Sequence, residues 1–390
     1  MSAKDADLSD AATRRKAGEF VRGVSAAKQI IPCADYPVES GRYHLYVAFN
    51  CPWCHRVALA RALLGLEKVI TMDVAMPVRS EEGHPEGEGK WVFQPEGVVA
   101  RNKRHVRFDR CTRDTVNGLS TAVEIYRLSG HMTEKSLPIL FDKKTKTVVN
   151  NESFDIVRMF STAFRSLGSR PEIELYPSAL EGEINELDER IYHSINNGAY
   201  RAGFGSSNQA KYEAAYAEYF AHWDVLEARL ADGRRFLTGD APTESDLKLF
   251  PTLFRHDPIY YTRMKLNQSF VWEYPHLWRW MCNFYALPGV AENSPLAHMK
   301  QGYFGRTHNN NVPVGPLVAG RPWLERLLDP SYGARVAEAR RIVGSVRSRS
   351  VQTTTGFIIT ATAFTALGAG LMAMWTMKRQ GKVLEKELAS

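Results

Sequence analysis

The stretch VAFNCPWCHR, Val47 to Arg56, sets two thiols three residues apart, Cys51 and Cys54, with an imidazole directly after the second. Three chemistries use that pattern. C-x-x-C-H attaches a c-type haem, C-x-x-C supplies half of a zinc site, and a strand that runs through C-x-x-C into a helix presents a redox-active thiol. Covalent haem needs export to an oxidising compartment, whereas the opening MSAKDADLSDAATRRKAGEF is polar and charged and holds no secretory signal. Structural zinc needs four ligands, and no second C-x-x-C or H-x3–5-H pair exists, so no metal is expected. The flanks favour the redox thiol.

Those flanks are the elements that must position it. Tyr43 to Phe49, YHLYVAF, is rich in aromatic and β-favouring residues and predicts a strand. Cys51-Pro52 opens a helical run with Val57, Leu59, Ala60, Leu63 and Leu64 on one face. A thiol in the first turn of a helix meets unpaired backbone N–H groups and the positive end of the macrodipole, and its pKa is pulled down accordingly. Pro52 suits the first helical position, where its missing N–H has no partner to lose. Cys51 is therefore the expected nucleophile. Cys54, one turn further in and less exposed, is a candidate resolving thiol.

Further along, Val69 to Val74 predicts a second strand, and residues 77–117 form a polar, Gly- and charge-rich stretch too long for an ordinary connection. A helix is expected near Leu119 to Arg127. Ser136 to Asp142 and Thr147 to Asn150 read as two strands around a turn, and Asn151-Glu152-Ser153 leads into a helix through Phe164. Strand, helix, strand, helix, hairpin, helix is the order of an α/β thioredoxin-like domain, placed at residues 41–170 after a leader at 1–40. From Tyr176 to Val290 the pattern changes to long helices, so an all-α domain with a C-terminal tail is expected over 171–325. Thr243-Glu244-Ser245-Asp246 marks a capping box there, with Thr243 as N-cap and Asp246 at N3. No internal repeat is present.

The 390 residues suit two domains. Charge is mildly basic, +7 with a pI near 9.1, but it is scattered and no nucleic-acid reading motif accompanies it, so a nucleic-acid partner is not expected. Five cysteines, Cys33, Cys51, Cys54, Cys111 and Cys282, make an odd and sparse set that argues against a secreted disulfide framework. After a charged stalk at 326–355 comes a single transmembrane helix expected at 356–377, GFIITATAFTALGAGLMAMWTM. It contains no charge and, as a helix, spans roughly 30 Å, the thickness of a bilayer core. Trp375 near one end and Lys378, Arg379 and Lys382 in the short tail at 378–390 complete the pattern of an anchor. The expectation is a tail-anchored protein with its soluble part facing the cytosol. The short basic tail and the Ala/Thr/Gly-rich span point to the mitochondrial outer membrane, with the ER as the alternative.

Longer motifs narrow the chemistry. CPWCHR, then Lys90-Trp91-Val92-Phe93, LPILFDKKTKTVVNNES, NNGAYRAGF, RHDPIYY and HNNNVPVGP, in this order from Gly41 to Pro316, resemble the Xi-class glutathione transferases, the glutathionyl-hydroquinone reductases. The resemblance implies a thioredoxin-like domain followed by an all-helical transferase domain, a homodimer, and reduction of aromatic hydroquinone thioethers with glutathione as cosubstrate. It assigns Cys51 as nucleophile and Tyr200, Tyr260 and Tyr303 to the aromatic pocket. Trp91 would wall the glutathione site, and Leu137-Pro138 would be the X-Pro, commonly cis, that pairs with the tripeptide backbone. Glu152 would meet the γ-glutamyl ammonium and Ser153 its carboxylate; taken alone, that pair is an ordinary helix cap. His55 and Arg56 support the thiolate or simply pack. Two features depart from the family: Cys54 stands where alanine is usual, and the membrane segment is extra. A dithiol oxidoreductase or deglutathionylase using Cys51 and Cys54, or a non-catalytic tail-anchored adaptor, are the alternative functions.

Overall fold

The computed structural model describes residue 25 and residues 27–305, apart from 81–82, 100–104, 107, 109 and 205–207. The motif at 308–316, the stalk, the expected membrane segment at 356–377 and the basic tail lie outside the described residues. No described helix is long and apolar enough to cross a membrane.

The first half of the described chain is built on strand β1 (Tyr43–Val47), followed by helix α1 (Pro52–Leu63) and strand β2 (Thr71–Val74). After the two-residue strands β3 (Val98–Val99) and β4 (His105–Val106) come α2 (Ala122–Leu128), β5 (Ile139–Asp142), β6 (Thr147–Asn150) and α3 (Ser153–Met159). One sheet has the order β2-β1-β5-β6, with β1 parallel to β2 and antiparallel to β5, and β5 antiparallel to β6. This is the thioredoxin-like order expected. Every residue of β1 is buried, as a central strand covered on both faces requires.

The strand ends differ from expectation for local reasons. β1 stops at Val47 rather than Phe49 because the chain turns there, the Cys51 N–H bonding to the Ala48 carbonyl at 3.0 Å. β2 begins at Thr71 rather than Val69 because the N–H groups of Val69 and Ile70 are both taken by the Leu66 carbonyl. Part of the leader expected at 1–40 pairs with the sheet. Lys28 bridges Asn150, and Gln29 N–H bonds to the Val149 carbonyl at 3.0 Å, so residues 27–29 run along the outer edge of β6.

The described residues of the long segment at 77–117 are likewise tied down. β3 and β4 pair within it, and two carboxylates gather its return to the sheet. Asp114 accepts from the Tyr46 hydroxyl at 2.7 Å and from the N–H groups of Val116, Asn117 and Leu119. Asp73 accepts from Thr112 and from both the N–H and the hydroxyl of Thr115. Met76, Val92, Phe108 and Cys111 form a small buried apolar cluster.

The second half is helical: α4 (Glu181–Arg190), α5 (Asn197–Phe204), α6 (Gln209–Leu230), α7 (Glu244–Arg255), α8 (Pro275–Tyr285) and α9 (Leu296–Phe304). α9 lies beyond Val290, where the helical pattern read from the sequence ends. The capping box at α7 forms as expected, Asp246 accepting from the Thr243 N–H at 2.8 Å. Asp246 also accepts from Leu237 N–H at 2.9 Å and from the Trp280 indole at 2.7 Å, so one buried carboxylate fixes the start of α7 against a loop and α8.

α1 is the element on which both halves meet. All twelve of its residues are buried, because it packs on the sheet side against α3 and on the helical side against α7. A helix buried all round needs no one-sided stripe. Burying Val57, Leu59 and Leu63 supplies about 1.5–3 kcal/mol each. The helix ends in a Schellman motif: Gly65 N–H bonds to the Ala62 carbonyl and Leu66 N–H to the Arg61 carbonyl. Gly65 sits at φ +67°, and a side chain there would meet Ser169 Oγ at 2.1 Å, so both conformation and space call for glycine.

Candidate active site at the start of helix α1

Cys51 is the N-cap of α1, with extended backbone angles, and Pro52 follows at N1. The cysteine is partly exposed while Cys54, at N3, is fully buried. The Cys51 Sγ lies 3.9 Å from the carbonyl oxygen of Leu137, whose bond to Pro138 is cis. Cys54 contacts Cys51, and its thiol is held well above the ordinary range, first by burial and then by its hydrogen bond with Cys51. Cys54 therefore keeps its proton at neutral pH.

His55 and Arg56 do not face the nucleophile. His55 is fully buried, and Arg255 Nη1 donates to its Nδ1 at 2.9 Å. Arginine can only donate, so Nδ1 is the acceptor and the proton sits on Nε2, which meets Ser294 Oγ at 2.9 Å. The Ser294 hydroxyl in turn donates to the Val290 carbonyl at 2.7 Å. Burial, with the Arg255 and Arg56 cations adding to it, drives the His55 pKa well below its usual value, so this imidazole is neutral. Arg255 also donates to the Phe49 carbonyl at 2.5 Å and to the Pro251 carbonyl at 2.7 Å. Arg56 donates to Asn196 Oδ1 at 2.8 Å and lies over the rings of Trp53 and Phe154. Both basic residues of the CHR triplet thus fasten α1 to the helical domain. Packing, the blander of their two expected roles, is the one observed.

The three tyrosines converge from separate elements. Tyr200 comes from α5, Tyr260 from the wide turn His256–Tyr260 that continues α7, and Tyr303 from α9. Tyr303 OH lies 2.8 Å from Tyr200 OH and 3.0 Å from Tyr260 OH. The Tyr200 ring stands 6.2 Å from that of Trp53, two residues after Cys51, which links the trio to the cysteine motif. Burial pushes the Tyr260 and Tyr303 phenols above their ordinary pKa. At neutral pH all three hydroxyls of such a trio are donors as well as acceptors.

Glu152 is the N-cap of α3 and accepts from the Phe154 N–H at 3.4 Å, while Ser153 is buried. Glu152 therefore caps its own helix, and nothing in that contact excludes a ligand at the same oxygen. Trp91 is buried and carries the Arg79 guanidinium 3.2 Å above its ring. Arg79 also lowers the Cys54 pKa by its charge, as a minor influence. Neither Arg79 nor Arg255 was a sequence candidate. Arg255 ends the apolar run from Leu249 to Phe254, and an arginine at the end of such a buried helix is the signal that could have found it. Arg79 carries no such signal. Among the described residues no cluster of His, Cys, Asp and Glu could hold a metal ion.

Residues 50–163 match the family described as glutathione S-transferase, N-terminal domain, and residues 209–281 match glutathione S-transferase, C-terminal domain. A glutathionyl-hydroquinone reductase of Escherichia coli is 36% identical over 338 residues, covering 83% of this chain and 94% of that protein. The crystal structure of a Xi glutathione S-transferase from Phanerochaete chrysosporium is 35% identical with a TM-score of 0.68, covering 78% of this chain and 98% of that one. The glutathione-bound structure of an Escherichia coli glutathione transferase homologue is 34% identical with a TM-score of 0.66, covering 75% and 90%.

Proposed function

This chain belongs to the Xi-class glutathione transferases, the glutathionyl-hydroquinone reductase family, and from that membership we propose that it reduces glutathionyl-hydroquinones through a Cys51–glutathione mixed disulfide. The observation that carries the reading is the pairing of an N-cap sulfur with a hydroxyl trio linked to it through Trp53.

In the first half-reaction the Cys51 thiolate attacks the glutathione sulfur of the thioether. One S–S bond forms and the aryl carbon–sulfur bond breaks. The electron pair of that bond stays on carbon, which takes up one proton and leaves as the hydroquinone. In the second, a glutathione thiolate attacks the mixed disulfide, and oxidised glutathione leaves as Cys51 is regenerated. Carbon–sulfur cleavage is the harder step, because charge must move through the ring onto the phenolic oxygens while carbon accepts its proton. Tyr200, Tyr260 and Tyr303 are the donors proposed for those oxygens, and a shared proton on their hydroxyls is the proposed supply. Leu137, Pro138, Trp91, Glu152 and Ser153 are the proposed glutathione contacts: backbone pairing beside the cis bond, a wall, and charge matching at the start of α3.

Mass spectrometry of the protein mixed with glutathionyl-menadiol tests this directly. A glutathione adduct on Cys51 with release of menadiol is expected; an intact thioether and unmodified Cys51 would sink it. The contact between Cys51 and Cys54 favours one further reading, a dithiol route in which Cys54 displaces glutathione from Cys51. That route predicts that Cys54→Ser abolishes disulfide turnover; retention of turnover in this variant removes it.

Residues 356–377 are proposed to tether this activity to a membrane, the mitochondrial outer membrane first and the ER second, on the strength of a charge-free span flanked by Trp375, Lys378, Arg379 and Lys382. A fluorescent protein carrying the last forty or so residues of the chain should decorate mitochondria; a diffuse signal refutes the tether and an ER pattern the organelle. The homodimer implied by the family is proposed with it, and sedimentation of the purified protein at the mass of one chain would refute that.

A further inference from the structure

The residue before the nucleophile and the residue before the tyrosine hub touch one another. A Cβ built on Gly302 would stand 2.4 Å from Asn50 Cβ, 2.5 Å from its Nδ2 and 2.6 Å from its Cγ. Non-bonded carbons prefer about 3.5–4.0 Å. The first of those atoms is bonded to the Asn50 backbone, so a change of rotamer cannot clear it, and one of the two chains must move. Gly302 lies inside α9, in ordinary helical geometry, where glycine costs about 0.5–1 kcal/mol relative to alanine. Its value at this position is space, not conformation.

Neighbouring contacts make that space consequential. One turn earlier on α9, His298 meets the Phe49 ring edge-on at 5.9 Å. Arg255 holds the Phe49 carbonyl at 2.5 Å. Phe49 and Asn50 are thus gripped by α7 and α9 immediately before Cys51. The residue after Gly302 is Tyr303, whose hydroxyl joins Tyr200 and Tyr260. How closely α9 approaches Asn50 therefore decides where the tyrosine hub stands relative to Cys51.

We propose that Gly302 is a positioning residue for carbon–sulfur cleavage: its missing side chain lets α9 seat on Asn50 and fixes the reach between Cys51 and the tyrosine hub. This rests on the function proposed above and adds a residue to it. Thiol–disulfide exchange needs one thiolate in line with two sulfurs. Cleavage of the thioether also needs phenol donors registered on the substrate oxygens, and a misplacement of about 1 Å can cost roughly 10²-fold.

The test compares two reactions of the full chain, release of menadiol from glutathionyl-menadiol and reduction of the mixed disulfide between glutathione and 2-mercaptoethanol. Gly302→Ala should lower kcat for menadiol release by about 10–10²-fold with KM little changed, while disulfide reduction stays within about twofold of the parent. Retained exchange also reports that the variant is folded. Adding Asn50→Gly removes all three clashing atoms and should recover most of the lost menadiol release. Parent-like release by Gly302→Ala overturns the proposal. So does a double variant that recovers nothing, including the case in which Gly302→Ala fails to fold and Asn50→Gly does not restore it. A parent protein that reduces the mixed disulfide but releases no menadiol refutes the functional reading itself, and this inference with it.

Discussion

The sulfur side and the phenol side of the site are built in opposite ways. Cys51 is positioned by a strand, a turn and a helix start that are contiguous in sequence, and its geometry follows from local rules of helix capping. The phenol side draws Tyr200, Tyr260 and Tyr303 from three elements, with Tyr200 and Tyr303 separated by 103 residues, and is held by tertiary packing alone. A reactive sulfur is a local invention on this fold; a place to put an aromatic leaving group is a global one. The two sides should therefore fail differently, and a substitution on one side should spare reactions that need only the other.

Cys51→Ser gives the largest effect and removes both reactions. Loss of the nucleophile should lower menadiol release and mixed-disulfide reduction alike, on the order of 10³-fold or more, as followed by product chromatography. Residual exchange at a substantial rate would show that Cys54 or another thiol attacks, and the contrast between the sides would lose its first term. Tyr303→Phe comes next and should split the reactions. The hub hydroxyl touches both other phenols, so its loss should cost menadiol release about 10²–10³-fold in kcat, the magnitude of a lost oxyanion donor. Disulfide exchange should be unchanged. Equal loss in both assays would mean that the tyrosines serve the fold or the sulfur, not the ring.

Arg255 belongs to neither side and joins them. Arg255→Met would leave the Phe49 carbonyl and His55 Nδ1, both buried, without their donor. Each orphaned group costs about 1–3 kcal/mol, so thermal or denaturant unfolding should shift by an amount of that order, and both reactions should weaken together as the Cys51 loop loosens. A stability equal to that of the parent would mean that water or another donor replaces the guanidinium.

The same contrast governs what could be read from sequence. The thioredoxin-like order, the β5–β6 hairpin, the cap at Asp246 and the Cys51-Pro52 helix start were all legible, because each is set by residues within a few positions of one another. The tyrosines were reached only through family resemblance, since nothing in NNGAYRAGF or QGYFG taken alone distinguishes a pocket phenol from a packed one. His55 shows where local reading misleads. It sits in the motif next to Cys54, yet the helix turns it onto Arg255, 200 residues away. The hydrogen bonding of the described residues within 77–117 was hidden for a related reason. Asp73 and Asp114 organise that segment through hydrogen bonds to backbone and hydroxyl groups, which leave no periodic trace. Gly302 is invisible without coordinates, because only the position of Asn50 gives its missing side chain a meaning.

pH separates the two sides by sign, with the smallest expected effect on turnover. On the sulfur side, His55 is buried neutral with its pKa depressed. Its contribution to stability is present above the unfolded value, about 6.5, and is lost as pH falls below that. On the phenol side, Asp257 lies three residues before Tyr260. One oxygen accepts from the Val271 N–H at 2.8 Å, and burial pushes its pKa up to about 7. Its native state holds a proton that the unfolded chain releases near pH 4, so between those values the unfolded state binds fewer protons and this group's penalty on the fold grows as pH rises, levelling off above about 7. Asp257→Asn keeps the acceptor and removes the charge. Relative to the parent, this variant should therefore gain stability between pH 5 and pH 8, on the order of 1–3 kcal/mol, in denaturant titrations at the two pH values. A stability difference between variant and parent that does not change over this range would mean that Asp257 titrates as an ordinary carboxylate, and that the turn bearing Tyr260 is wetter than its packing indicates.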